Sequence, residues 1–392
     1  MPIAPINDQI TIHELIDNPY PFYRHCRAHS PIVRVPATNR TMLTKAVDCR
    51  FAKERADLFS NDDPGTPMKR AFEAHTLMRK DGEEHRRERM AMAPTFSRPN
   101  LANIWGPMYD QLADAYLDRL PRGEVIDLFP MLAGPLAARI LGESMGLPDA
   151  SDEELQHWSQ ALIDGAGNFA GFAEPFERVA KANIAMNQCI EGNVARVRAA
   201  PDQSALSVML EADNPIPWSQ MVANIKIAIG GAINEPRDAL LTVLCGLLSN
   251  PEQLEEIKRT QNWMAAFEEA VRWVAPIQVS SRVAMEDLQI SGVDIAKGEV
   301  VMTCQASANH DEDLYEDGHL YNVLRENSAP HQAFGIGPHF CMGTHMARLC
   351  LGEILLPKIF DRFPNMQLHS AEDVVWKGFG FRGPLNLPVK LN

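Results

Sequence analysis

Residues 331–348 (HQAFGIGPHFCMGTHMAR) concentrate the residue types most able to do chemistry. Cys341 is the one cysteine in this stretch. Gly335, Gly337 and Gly343 allow tight turns and a close approach to a flat ligand, and Pro338 stiffens the turn. An apolar run of helical character, Met342–Phe360, follows. Cys341 therefore stands just before a helix N-terminus, where the dipole favours a thiolate. A thiolate with no Cys or His partner at zinc spacing suits one axial position of a haem iron. The bland alternative for any single cysteine is a buried free thiol.

Three other stretches carry charge at meaningful spacing. In GEEHRRERMAMAPT (82–95), His85 and Arg89 are four apart and share one helical face; a solvated face of Glu–Arg pairs is the competing reading. In IAIGGAINEPRDALL (227–241), Gly230-Gly231 is costly inside a helix and Pro236 removes a hydrogen bond, which predicts a kink and a local backbone gap. Glu269 and Arg272 are three apart, close enough for an ion pair on one helix.

The elements that must position these groups follow from pattern. A short first helix (18–28), a small hairpin (32–35 with 41–44) and a helix (45–57) open the chain. Residues 59–81 read as irregular. Helices are predicted over 104–119, 126–145 and 152–164, followed by a glycine-broken connection (165–174), a long helix to about Arg198, and one long helix over 218–249. Residues 276–283 read as extended, 288–302 as a hairpin, and Gly378–Pro384 (GFGFRGP) as a glycine-flanked hairpin tip. The 392 residues are 45% hydrophobic and 22% charged, ordinary globular composition. With no linker, repeat or low-complexity tract, residues 1–392 read as one domain. A net charge of −14 argues against nucleic acid or an anionic membrane as a main partner. The N-terminus resembles neither a signal peptide nor an anchor, and no apolar run is long enough to span a bilayer. Seven scattered cysteines suit a reducing cytoplasm.

Phe334-Gly335-x-Gly337-x-His339-x-Cys341-x-Gly343 resembles the cysteine-ligand loop of the cytochromes P-450, and the resemblance extends over about residues 19–390. It implies a mainly α fold with small β-sheets, a triangular single domain, and haem b between two central helices. It implies monooxygenation of a small organic substrate with O2, with Cys341 as the iron's axial ligand. By the same resemblance His85, Arg89 and Arg282 hold haem propionates, Ala232, Phe334, His339 and Gly343 contact the cofactor, and Glu269, Arg272 and Arg325 form a structural triad. Residues 59–81 correspond to a mobile loop over the haem. At the distorted turn Gly231–Glu235, family members usually carry an acid and then a threonine that deliver protons. This chain has Asn234 and Glu235 there, the two candidate catalytic residues.

Asn234-Glu235-Pro236, GFGFRGP and SANHDEDLYED (307–317) together resemble bacterial aromatic O-demethylases acting on guaiacol-type methoxyphenols, and the haem domains of enzymes fused to a phthalate-dioxygenase-type reductase. Phe72, Ala166, Phe169, Ile277, Val279 and Phe381 would then line the substrate pocket. The core-aromatic reading of Phe72 and Phe381 stands beside this. A methylated sugar is an alternative substrate. Glu235 also motivates a peroxygenase reading, in which a carboxylate shuttles a proton of hydrogen peroxide. A non-catalytic haem-thiolate sensor is the reading from another class. No flavin motif or iron–sulfur cysteine cluster is present in the sequence, so electrons are expected from a separate ferredoxin or flavin/iron–sulfur reductase. Arg79, Lys80, Arg86 and Arg87 form a local basic strip on an acidic chain, the expected docking surface.

Overall fold

The computed structural model describes residues 3–168, 171–326 and 330–391. Its centre is a helix broken in two, Trp218–Gly231 and Asn234–Leu248. Both halves are apolar on nearly every face, which suits helices enclosed on all sides. Each half belongs to a different apolar cluster. Met221, Ile225, Ile227 and Ile229 pack with residues of helices Asp152–Ala166 and Ala173–Ala199. Leu240, Leu241, Val243 and Leu244 pack with Phe267, Val271, Leu351, Leu355 and Phe360.

The sequence predicted a kink in one helix; the structure has a full interruption at Ala232 and Ile233 (φ −140° and −114°). Pro236 accounts for it, since it donates no hydrogen bond and its ring crowds the carbonyl one turn back. Proline also marks three widened turns. Segments Leu101–Trp105, Phe129–Ala133 and Arg348–Leu355 have π geometry, and the helix continuing each has proline second, at Pro107, Pro135 and Pro357. There the missing N–H lets the ladder slip by one residue.

A five-stranded sheet flanks the helices, in the order Ile32–Val35, Arg40–Leu43, Val300–Thr303, Ser280–Ala284, Phe59–Ser60. Arg40–Leu43 and Val300–Thr303 run parallel, with Thr41 opposite Val301, and the other pairings are antiparallel. The predicted hairpin over 288–302 is therefore shorter than expected. Leu288–Ile290 pairs with Val293–Ile295 around Ser291 and Gly292, both at positive φ. Gly298, at φ +82°, then redirects the chain into the larger sheet. Residues 126 and 127 were expected to begin a helix and instead belong to the strand Val125–Asp127, which pairs with Pro388–Lys390. Residues 59–81 are not irregular throughout: they contain a strand, the helix Met68–Phe72 and a 3-10 turn at Leu77–Arg79. Among the described residues no helix is long and apolar enough to cross a membrane.

Candidate active site: a cysteine loop opposite a broken helix

The cysteine loop folds as its glycines demand. Gly335 and Gly337 both have φ +73°, a conformation that side chains disfavour. A Cβ on Gly337 would also lie 2.5 Å from the Lys53 carbonyl oxygen, so the loop seats directly on the end of helix Ala46–Glu54. The Cys341 amide donates to the Phe334 carbonyl at 2.8 Å and closes the loop. Phe334 is held between His331 (5.9 Å) and the guanidinium of Arg348 (5.0 Å).

The expectation of a helix-activated thiolate does not hold for the protein alone. Surrounding protein pushes the Cys341 thiol pKa up, and the Gly343 amide, Arg89 and Arg348 oppose this only in part. The following helix begins at Thr344 with Gly343 as its N-cap, and that one amide does not offset the surrounding protein. A metal would supply the missing stabilisation, because coordination deprotonates a thiol outright. The Cys341 side chain is nevertheless accessible to solvent.

A group of cations and donors surrounds this loop. His85 is buried, stacks on His339 (centroids 4.0 Å apart), and has no partner for Nε2. Burial, then His339 and Arg89, depress its pKa to about 4. Arg89 donates to the Phe340 carbonyl at 2.6 Å. Arg282 is 7% exposed and donates to the Ser281 carbonyl at 2.8 Å; burial, then Arg79, lower its pKa to about 10. A buried guanidinium without a carboxylate on it and an orphaned imidazole nitrogen suit carboxylates brought in by a ligand. These residues therefore fit haem, with His85, Arg89, Arg282 and His339 on its propionates and Cys341 on its iron. Asp81 was not singled out from sequence. It lies 3.6 Å from His339 Nε2 and accepts from Ser60 and Asn61.

Opposite the loop, Gly231 is exposed and Ala232 half-buried at the helix break. Glu235 opens the second half-helix. Both its carboxyl oxygens are buried without a partner, and burial raises its pKa to about 8. When ionised it would push the Cys341 pKa up, so the two lie within electrostatic reach of one another. Asn234 is committed elsewhere: its Oδ1 accepts from Arg237 Nη1 at 2.7 Å, and Arg237 Nε donates to Asp238 at 2.8 Å. Arg237 also stacks over Phe129. Sequence reading missed Arg237 and Asp238, although an Arg-Asp pair inside an apolar helix was a visible signal.

The pocket candidates divide. Ile277 and Phe381 form an antiparallel bridge, braced by Gln278 N–H to the Gly380 carbonyl (2.9 Å) and Arg382 N–H to the Pro276 carbonyl (2.9 Å). Phe72 is 2% exposed, with its ring edge against Gly230. Ala166, the last residue of its helix, packs on the same apolar cluster. Val279 packs instead with Tyr20 and Phe379 on a cluster built around Leu15, Tyr23 and Met302. Phe169 lies outside the described residues. None of these candidates lines the cleft of about 630 Å³ between Asp17, Tyr20, Trp273, Trp376 and Arg382.

The structural triad assembles as expected. Arg272 forks onto Glu269 at 2.7 Å twice, and Arg325 Nε lies 3.4 Å from the same carboxylate. A second network was not foreseen: Arg348 forks onto Glu268 (2.5 and 3.0 Å) while His331 Nε2 lies 2.9 Å away. The basic strip needs correction. Lys80 is 4% exposed and paired with Glu84 and Glu88, and Arg79 turns inward to Met68 and the Asn61 carbonyl. Arg86 and Arg87 are exposed, and Arg86 is paired with Glu83. An ion-paired lysine costs less to bury than a bare one, so residues drawn as a surface strip split between inside and outside.

Residues 251–373 match the family description "Cytochrome P450". The chain is 28% identical over 396 residues to the biotin biosynthesis cytochrome P450 of Bacillus subtilis, covering 96% of this chain and 97% of that one. It is 27% identical over 321 residues to cytochrome P450 107B1 of Saccharopolyspora erythraea, covering 80% and 76%. Its fold matches the crystal structure of P450BioI in complex with a hexadec-9Z-enoic acid-ligated acyl carrier protein, with a TM-score of 0.88 at 23% identity over 97% of this chain and 100% of that one. With the cysteine loop, the Glu269–Arg272–Arg325 triad and the broken central helix in place, the chain belongs to the cytochrome P450 family and is a haem-b monooxygenase.

Proposed function

We propose that this enzyme removes the methyl group of a small methoxylated aromatic compound of the guaiacol type. It works as a single cytoplasmic haem domain that takes electrons from a separate ferredoxin or flavin/iron–sulfur reductase. The observation that supports the substrate class is the Ile277–Phe381 bridge, which sets an aliphatic and an aromatic side chain beside each other at a hairpin tip. An aromatic edge of this kind suits a flat apolar ring.

Bound haem supplies activation of dioxygen. The chain's own residues bind, exclude water and manage protons. His85, Arg89, Arg282 and His339 hold the haem carboxylates. Ile277 and Phe381 keep water from the ring and orient its methoxy carbon. Glu235, with its pKa near 8, is a neutral acid at pH 7 and can release a proton at its carboxyl. Asn234, Arg237 and Asp238 fix the turn that carries it. Hydroxylation of the methoxy carbon gives a hemiacetal, which breaks down to a phenol and formaldehyde. The balance consumes dioxygen, two electrons and two protons and releases water.

A difference spectrum of the holoprotein against methoxyphenols, methoxybenzoates, alkylphenols and methylated sugars tests this. A low-to-high-spin shift with a methoxyphenol, and formaldehyde release with a surrogate reductase, is the expected result; no shift with any aromatic overturns it. The unpartnered Glu235 carboxyl also supports a second reading, peroxide-driven turnover, in which that group moves a proton between the two oxygens of hydrogen peroxide. That reading fails if Glu235→Thr leaves peroxide-driven turnover intact.

A further inference from the structure

The cleft of about 630 Å³ is not the site described above: none of Cys341, Glu235, Ile277 and Phe381 lines it. Segments far apart in the chain build its aromatic wall. The Tyr20 ring stacks on the buried His310, with centroids 4.6 Å apart. His310 Nε2 donates to the Trp273 carbonyl at 2.7 Å. The Trp273 ring in turn meets the Trp376 ring edge-on, with centroids 5.9 Å apart. The Trp273 indole N–H is fixed on the His319 carbonyl at 3.0 Å. The wall is therefore held in place and offers ring surface.

The charged groups on the same cleft are not all paired. Asp17 is matched by Lys377, and Glu312 takes a fork from Arg27 (2.9 and 2.7 Å). Arg382 is 5% exposed, yet its guanidinium donates only to main-chain carbonyls, those of Ile16 (3.0 Å), Asp17 (2.9 Å) and Gly378 (3.2 Å). Arg24 is exposed on the cleft and has no carboxylate partner among the described residues. Against these two cations stands one unmatched acid, Asp317, exposed at the rim. Helix Tyr20–His29 starts at the cleft with no acidic residue in its first turn, so the positive end of its dipole adds to the two arginines. A buried guanidinium without a carboxylate, set beside a rigid aromatic wall, lacks the anion that would complete it. We propose that this cleft is a second ligand site for a small aromatic carboxylate, whose anionic end meets Arg382 and Arg24 and whose ring covers Tyr20, Trp273 and Trp376. The cleft volume is that of a site for a small organic molecule.

Calorimetric titration of the haem-loaded protein tests it, with phenylimidazole saturating the iron so that the haem pocket is already filled. Three probes share one ring system and differ in charge: naphthoate, naphthylmethanol and naphthylmethylammonium. Naphthoate should bind saturably, at least about tenfold more tightly than the alcohol, with the ammonium weakest. Arg24→Glu should lose at least about tenfold for naphthoate and leave the alcohol unchanged, with the Soret response to phenylimidazole as in the parent. Trp376→Leu should weaken naphthoate and the alcohol alike, because it removes ring surface and no charge. The proposal is overturned by the absence of saturable naphthoate binding, or by naphthoate that phenylimidazole displaces. An alcohol or ammonium that binds as tightly as naphthoate also overturns it, as does a naphthoate affinity that Arg24→Glu leaves intact. Should Arg24→Glu fail to take up haem, Trp376→Leu decides, and unchanged affinities in it overturn the proposal. A failed methoxyphenol titration leaves these outcomes untouched, so the two readings fail separately.

Discussion

Glu268 and Glu235 are the same residue type, both shielded by protein, on opposite sides of the site, and their pKa values diverge from about 2 to about 8. Burial is the leading influence on each and pushes both upward. At Glu268 the hydrogen bonds of His331 and Arg348 more than offset it. At Glu235 only its own backbone amide opposes burial through a hydrogen bond; among the described residues no side chain partners the carboxyl, because Arg237 is turned to Asn234 and Asp238. The cysteine side is over-determined. Arg272, fully buried, donates to Glu269 and to the carbonyls of Asn309, Gly318 and Leu320. The Asn322 amide adds a further bond to Glu269. A charge can stay buried where its partners are built in, and a carboxyl without them stays neutral and holds a proton. The scaffold side is thus rigid by pairing, and the reactive side keeps one group chemically available.

The contrast breaks most severely at Arg272. Arg272→Leu leaves the buried Glu269 carboxylate with only Arg325 and the Asn322 amide and should cost about 3–5 kcal/mol. Urea unfolding and the Soret absorbance of the purified variant are the readouts, with little or no stable holoprotein expected. Glu235→Gln acts in the other direction. Because the folded pKa lies above the unfolded value, the protonated form's stability is present below about pH 4.5 and is lost as pH rises through about 8. The variant should therefore match the parent near pH 5 and exceed it by roughly 2–4 kcal/mol at pH 8 and above, as measured by denaturant melts at both values. A parent protein as stable at pH 8 as at pH 5 would contradict an orphaned carboxyl.

Glu268→Gln sharpens the same comparison from the paired side. Its folded pKa is depressed, so its contribution is present above about pH 4.5 and fades as pH falls toward 2. A loss on the order of 2 kcal/mol at pH 7, shrinking on acidification, is the expected outcome of thermal melts across that range. The smallest effect belongs to the exposed Arg86. Arg86→Ala should change stability by less than about 0.5 kcal/mol, yet slow reduction by an acidic donor protein several-fold at low salt. The difference should vanish at high salt, where surface charges are screened.

What could be read without coordinates was what neighbouring residues impose on one another. Gly335 and Gly337 announce left-handed backbone, Pro236 announces a helix break, and three-residue spacing brings Glu269 to Arg272. Each is a matter of local dihedrals or of one helical turn, so spacing alone carries it. Even here the local rule understated the outcome, since the expected kink became two residues outside any helix.

Tertiary structure alone decided which charges are buried and what they meet. Lys80 and Arg86 stand six residues apart in one basic run, yet one is enclosed by Glu84 and Glu88 and the other faces solvent. Arg348 and His331 meet Glu268 across 80 and 63 residues of sequence. Phe72 reaches Gly230 only because three helices converge on it. The state of Cys341 belongs here as well. Its place before a helix suggested a thiolate, and packing around the loop set the thiol's pKa the opposite way. Desolvation and partner choice depend on segments far apart in the chain, and no spacing rule contains them.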